Sequence, residues 1–128
     1  MKDTYSDLGI VSATVPQVLS ATDTSSAIDL QGFHSTLVVI NTGAIVSAGD
    51  FTTKLQESDT TTSGDFTDVA AANLLGSFPA SLAASTAYKV GYKGTKRYIR
   101  TVTTKNGGTS IAASIVVIKG DADIAPVA

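Results

Sequence analysis

Ser35-Thr36-Leu37-Val38-Val39-Ile40-Asn41 is apolar at successive positions, so both faces of a strand built from it carry aliphatic side chains. That is the signature of a strand covered on both sides, and Asn41-Thr42-Gly43 then breaks it. A second run of the same kind lies in Ser110 to Lys119, where Ile115-Val116-Val117-Ile118 again puts aliphatic residues on both faces. Each segment is expected to be central in its sheet, the latter central or capped by a partner. Between them the pattern changes to alternation. In Phe51-Thr52-Thr53-Lys54-Leu55-Gln56-Glu57-Ser58 one face holds Phe51, Thr53, Leu55 and Glu57, and the other holds Thr52, Lys54, Gln56 and Ser58.

Turn-forming clusters separate these segments. Ser25 to Leu30 predicts a first short strand, closed by Gln31-Gly32. Asp59-Thr60-Thr61-Thr62-Ser63-Gly64-Asp65 is a polar loop, followed by Phe66-Thr67-Asp68-Val69 with alternating anchors, and Ala70 to Leu75 fits a strand or one helical turn. Pro79 forbids a central strand in the connection Gly76 to Ser81. Tyr88, Val90 and Tyr92 share one face of a strand, Lys89, Gly91 and Lys93 the other, and a β-hairpin is predicted about Gly94. Asn106-Gly107-Gly108 marks a second tight reversal. No amphipathic helix is legible, so the fold is predicted to be all-β: an antiparallel β-sandwich or jelly roll of about seven or eight short strands.

The 128 residues fit one domain, since a chain of this size buries roughly two thirds of its unfolded surface around a single core. Residues 1-24 lack sustained periodicity and contain Pro16, which predicts an N-terminal arm with room for one short strand; 25-120 then form the β-domain and 121-128 a C-terminal tail. The composition includes 14 Ser and 18 Thr but no Cys, so no disulfide or thiolate site is available. The N-terminus carries acids where a signal peptide requires a basic start and an apolar run, and no window is long and apolar enough for a membrane helix, so the chain is expected to be neither secreted by that route nor membrane-spanning.

The net charge of −2 conceals a segregation along the chain. Residues 1-68 carry nine acids against Lys2 and Lys54, whereas residues 69-120 carry seven bases and no acid. Six of the nine bases fall within the 17 residues from Lys89 to Lys105, interleaved with Tyr92 and Tyr98. Single-strand nucleic-acid binders combine bases and aromatic rings in this way. The acidic isoelectric point and the lack of any nucleic-acid motif weigh against that reading, and a hairpin with core-facing tyrosines and a protein-binding edge weighs for the alternative. Lys89, Lys93, Lys96, Arg97 and Arg100 are the interface candidates, unless acidic and basic strands pair and cancel the asymmetry in three dimensions.

Catalytic chemistry finds no motif. His34 is the single histidine, no Gly-x-Ser-x-Gly elbow exists, and no phosphate-binding loop is present. Asp59, Asp65 and Asp68 suggest a calcium loop, yet aligning Asp59 as the first ligand places Ala70 where a bidentate Glu belongs. The expectation is a protein with no enzyme activity, no metal and no cofactor.

The segment Gly91-Tyr92-Lys93-Gly94-Thr95-Lys96-Arg97-Tyr98-Ile99-Arg100 resembles a Gly-Tyr-x-Gly-x-Lys-Arg-Tyr-x-Arg pattern in small virion proteins of tailed bacteriophages. Leu55-Gln56-Glu57-Ser58-Asp59 and Phe66-Thr67-Asp68-Val69 are similar to upstream elements of the same proteins, so the resemblance spans about 35-120 and leaves the N-terminal segment uncovered. Lys93 and Thr95 fall at variable positions of the pattern, where more aliphatic or basic residues are expected. The resemblance implies a capsid cement or decoration protein on the outside of the shell, with the major capsid protein as partner, a homo-oligomeric state and no catalytic residue. A head-to-tail connector or tail component is the alternative, and a single-stranded nucleic-acid binding module a further one.

Overall fold

The structure, a computed structural model, describes residues 3–124. Ten strands follow one another: β1 (Gly9–Leu19), β2 (Asp23–Thr24), β3 (Ile28–Asp29), β4 (Phe33–Val46), β5 (Asp50–Ser58), β6 (Thr67–Asp68), β7 (Leu74–Leu75), β8 (Ala87–Tyr92), β9 (Tyr98–Gly107) and β10 (Ser110–Ala122). Three single 3₁₀ turns, at Tyr5–Asp7, Ser63–Asp65 and Ala71–Asn73, are the helical elements among the described residues. No helix among those residues is long and apolar enough to cross a membrane.

Two antiparallel sheets face each other. One has the order β1-β10-β4-β8-β7 and is called the β10 sheet below; the other has the order β2-β9-β5-β6, with β3 also on β9, and is called the β9 sheet. Setting β7 aside, the pairings run from the outside of the sequence inward: β1 with β10, β2 and β3 with β9, β4 with β8, and β5 with β6. The chain is thus one long hairpin wrapped over two sheets, which is the jelly-roll topology. Both double-apolar segments are central, β10 between β1 and β4, and β4 between β10 and β8.

The core lies between the sheets. Val38, Ile40, Val90, Ile111, Ile115 and Val117 descend from the β10 sheet and meet Phe51, Leu55 and Ile99 from the β9 sheet, all essentially inaccessible to water. The β9 sheet also buries Thr53, Thr101 and Thr103. The Thr53 and Thr103 hydroxyls bond each other at 3.0 Å, while the Thr101 hydroxyl has no partner.

The chain changes sheet at two corners that pack on one another. Ser47 and Ala48 take left-handed φ values of 49° and 56° between β4 and β5, and Gly108 takes 71° between β9 and β10. A Cβ on Gly108 would strike the Ala48 backbone, and one on Gly49 would strike the Ser110 backbone, so glycine is required at both.

Three sequence expectations are corrected. The hairpin about Gly94 does not exist: β8 belongs to the β10 sheet and β9 to the other, and residues 93–97 carry the chain across. Gly94 is present because the Tyr92 ring lies where its Cβ would be, and the Tyr92 hydroxyl accepts the Lys96 backbone N–H at 3.2 Å. Asn106-Gly107-Gly108 does reverse the chain, but again between sheets. The predicted N-terminal arm contains the eleven-residue strand β1, paired along β10 from Gly9↔Lys119 to Leu19↔Ile111. Register shifts between Ser12 and Thr14 and between Thr14 and Gln17 disrupt its alternation, and Pro16 is tolerated because β1 is an edge strand. Of the predicted C-terminal tail, Asp121 and Ala122 extend β10 and the Asp123 N–H donates to Gly32 O at 2.8 Å; 125–128 lie outside the described residues.

Candidate protein-binding face

Three of the five sequence-predicted interface residues are tied within the molecule. Arg97 grips Asp29 with two parallel hydrogen bonds, Nε to Oδ1 at 3.0 Å and Nη2 to Oδ2 at 2.8 Å. That fork, assisted by the Gln31 backbone N–H and the Lys119 charge, holds the Asp29 carboxyl at about 2 against partial burial, which opposes it. Lys96 Nζ meets Asp59 Oδ2 at 2.8 Å, which raises the lysine pKa. Arg100 donates to Gln56 Oε1 at 2.8 Å and to Ser63 Oγ at 2.9 Å, with its guanidinium 4.4 Å above the Phe66 ring. The charge segregation along the chain therefore cancels locally where basic residues of the later half reach carboxylates of the first.

The aromatic side chains are equally committed. Tyr92 is buried, which raises its phenol pKa, and the Tyr88 hydroxyl accepts the Ala83 N–H at 2.9 Å. Arg97 covers Tyr98 at 5.0 Å. This arrangement offers no row of open rings on which bases would stack. Asp59, Asp65 and Asp68 are likewise dispersed, onto Lys96, Thr60 and Lys54 with Gln56 respectively. No group of three His, Cys, Asp or Glu side chains among the described residues is placed to hold a metal ion. His34 is exposed and paired with Asp123.

Lys89 and Lys93 remain, and they lead to the face that charge-based reading missed. Lys89 lies exposed on the outward side of the β10 sheet and Lys93 exposed directly after β8, where the alternation from Lys89 and Gly91 continues, with no ion pair to either among the described residues. Strand register shows what surrounds them. One row crosses all five strands as Ile10, Ile118, Leu37, Gly91 and Leu75. The next runs Ser12, Val116, Val39 and Lys89. Their sequence neighbours Val38, Ile40, Val90, Ile115 and Val117 point into the core, so these rows are the sheet's outer surface. Ile10 is 69% exposed and Leu75 58%, with Val15 and Val18 also exposed along β1. Leu37, Val39, Val116 and Ile118 are half-buried by one another. Gly91 allows Leu75 to lie across β8, since a Cβ there would touch Leu75 Cβ at 3.0 Å.

The outward side of the β9 sheet is the opposite in character. Lys54, Gln56, Arg100, Asp68, Thr52 and Asn106 bond one another there, with Gln56 Nε2 to Asp68 at 2.9 Å and Asn106 Nδ2 to Thr52 Oγ1 at 2.7 Å. One sheet is polar on its outer side, and the other has an aliphatic centre there, bordered by Ser12, Asn41 and Lys89. The signal for the aliphatic side was present in the sequence as the double-apolar runs, but no element among the described residues supplies their second cover.

Fold and face together define a single jelly-roll domain with one unpartnered apolar sheet. No family model matches the chain, and no curated protein matches it. The crystal structure of SPBc2 prophage-derived protein YomS is similar with a TM-score of 0.51 and 13% identity, over 88% of this chain and 93% of that one, which shows a shared fold. The crystal structure of PirA aligns with a TM-score of 0.45 and 11% identity, over 94% of this chain and 96% of that one. The infectious bursal disease virus VP2 subviral particle aligns with a TM-score of 0.45 and 10% identity, over 88% of this chain and 32% of that one.

Proposed function

We propose that this chain is a structural protein of a tailed-phage virion, which attaches to the outside of the capsid shell and stabilises it by bridging shell subunits. The observation that carries the proposal is the uncovered apolar side of the β10 sheet, because a sheet apolar on both faces needs a second layer that this chain does not provide among its described residues. The prophage origin of a protein sharing the fold and the Gly91 to Arg100 resemblance support the virion setting. Fold likeness alone would not, since one jelly roll serves many unrelated functions. The proposal assigns the chain no reaction and no cofactor.

The mechanism is mechanical. A rigid β-framework loses little conformational entropy on docking, and many weakly bound copies on a repeating lattice act together. Particles made without the protein are expected to burst at lower temperature and under milder osmotic shock than complete ones, with purified protein restoring resistance. Equal resistance of the two kinds of particle would refute the stabilising role, and a copy number matching a single ring rather than the shell would favour a connector.

A further inference from the structure

We propose that the outward side of the β10 sheet docks on a protein surface with an apolar centre and carboxylates along one margin, that Lys89 and Lys93 meet those carboxylates, and that the β9 sheet consequently faces solvent. This deepens the capsid reading and rests on it.

The charge pattern selects the occupant. The five strands of the β10 sheet carry one carboxylate, Asp121 near the end of β10, and none lies in the apolar rows. Lys119 is turned away, with its Nζ 3.3 Å from Asp29 O and 4.7 Å from the Phe33 ring. Lys89, opposite Val39, and Lys93, just beyond β8, are thus two like charges on one flank of the face. A second copy packed face to face would bring its own apolar rows and two lysines for the single carboxylate Asp121 near the end of β10, an excess of like charge that repulsion and desolvation disfavour. A heterologous surface with an acidic margin satisfies both the rows and the lysines.

The size of the face agrees. Five strands span about 19 Å, and the outward positions from Ala112 to Ile118 about 20 Å, giving roughly 400 Å². That footprint, which includes Ser12, Asn41, Ser114 and Lys89, is of the size of the largest, often functional, patch on an ordinary monomer and is about half of one partner's share in a standard stable interface. One such contact binds weakly, as expected of a component that gains its hold from repetition.

The absence of cysteine provides a clean test, because a single introduced thiol reports on one position. Asn41→Cys marks the outward side of the β10 sheet, opposite Ser114, and Thr104→Cys marks the outward side of the β9 sheet, opposite Thr52. On shells assembled without the protein and then decorated, maleimide labelling of Asn41→Cys is expected to slow at least about tenfold relative to the free protein while Thr104→Cys labels at its free rate. Lys89→Glu combined with Lys93→Glu is expected to weaken shell binding about tenfold or more and to reduce its salt dependence, with Lys105→Glu as the charge-reversal control. If wild type binds shells but both thiols label equally, or if the double reversal binds normally, the docking face is wrong and the capsid reading stands. If wild type does not bind shells, the capsid reading falls and the docking proposal with it. If the isolated protein forms a dimer that protects Asn41→Cys, the occupant is a second copy and the acidic partner is refuted.

Discussion

Replacing Thr101 by valine is expected to stabilise the protein. Thr101 is 1% exposed and its hydroxyl has no hydrogen-bond partner. An orphaned buried hydroxyl costs about 1–3 kcal/mol, and Thr101→Val exchanges it for a methyl of similar size without opening a cavity, so a gain of about 1–2 kcal/mol is expected. With an unfolding entropy of about 2.1 cal/mol/K per residue, 128 residues correspond to about 270 cal/mol/K, and the gain raises Tm by about 4–7 °C. The neighbouring pair supplies the contrast. Thr103→Val strands the Thr53 hydroxyl, whose bond to Thr103 is 3.0 Å, and is expected to lose about 1–2 kcal/mol; Thr53→Val combined with Thr103→Val removes both groups and returns close to wild type. Thermal and urea unfolding followed by circular dichroism measures these three variants and Thr53→Val alone. A Thr101→Val protein that melts lower than wild type would refute the reasoning, as would additive losses at positions 53 and 103.

The Asp29–Arg97 fork predicts an acid limb. The folded Asp29 pKa is depressed to about 2 from 3.8, so its contribution is fully present above about pH 4 and is lost as pH falls towards 2. Because the two side chains are 44% and 46% exposed, solvent screening holds that contribution below about 1 kcal/mol. Arg97→Gln should flatten the loss of stability across this window in urea titrations at stepped pH, and an unchanged slope would count against the fork. Gly108→Ala places a side chain at φ 71° against the Ala48 backbone and is expected to destabilise by about 1–3 kcal/mol or more in the same assay. Gly94→Ala displaces the Tyr92 ring and is expected to cost about 1–3 kcal/mol, and a neutral result would show that the ring has another place to go.

The long central strands were legible because β4 and β10 announce themselves by unbroken aliphatic runs, and β5 by strict alternation from Phe51 to Ser58. What failed was the destination of the chain after a turn. Gly94 and Gly107-Gly108 signal a change of direction equally well for a hairpin and for a corner between sheets, and the choice rests on the Tyr92 ring and on the Ala48 to Gly49 contact, neither of which is local. β1 escaped notice because its bulges and Pro16 break the two-residue period. The basic segment drew attention by density along the chain, yet Lys96 and Arg97 find their carboxylates 37 and 68 residues away. The apolar outer side of the β10 sheet, conversely, was written in hydrophobic runs whose missing cover only the assembled sheets reveal.

β10 is the last of the ten strands to be synthesised, and it occupies the interior of its sheet, between β1 and β4. Until it has left the ribosome, β1 has no neighbour, β4 lacks one of its two, and the aliphatic side chains on both sides of β4 are open to other chains. Folding of the β10 sheet must therefore wait until β10 has emerged, and its long-range pairing makes it slow. A nascent chain held in that condition is prone to edge pairing with its own kind, so the yield of native protein should depend on chaperone supply and on expression rate far more than the stability of the finished jelly roll would suggest.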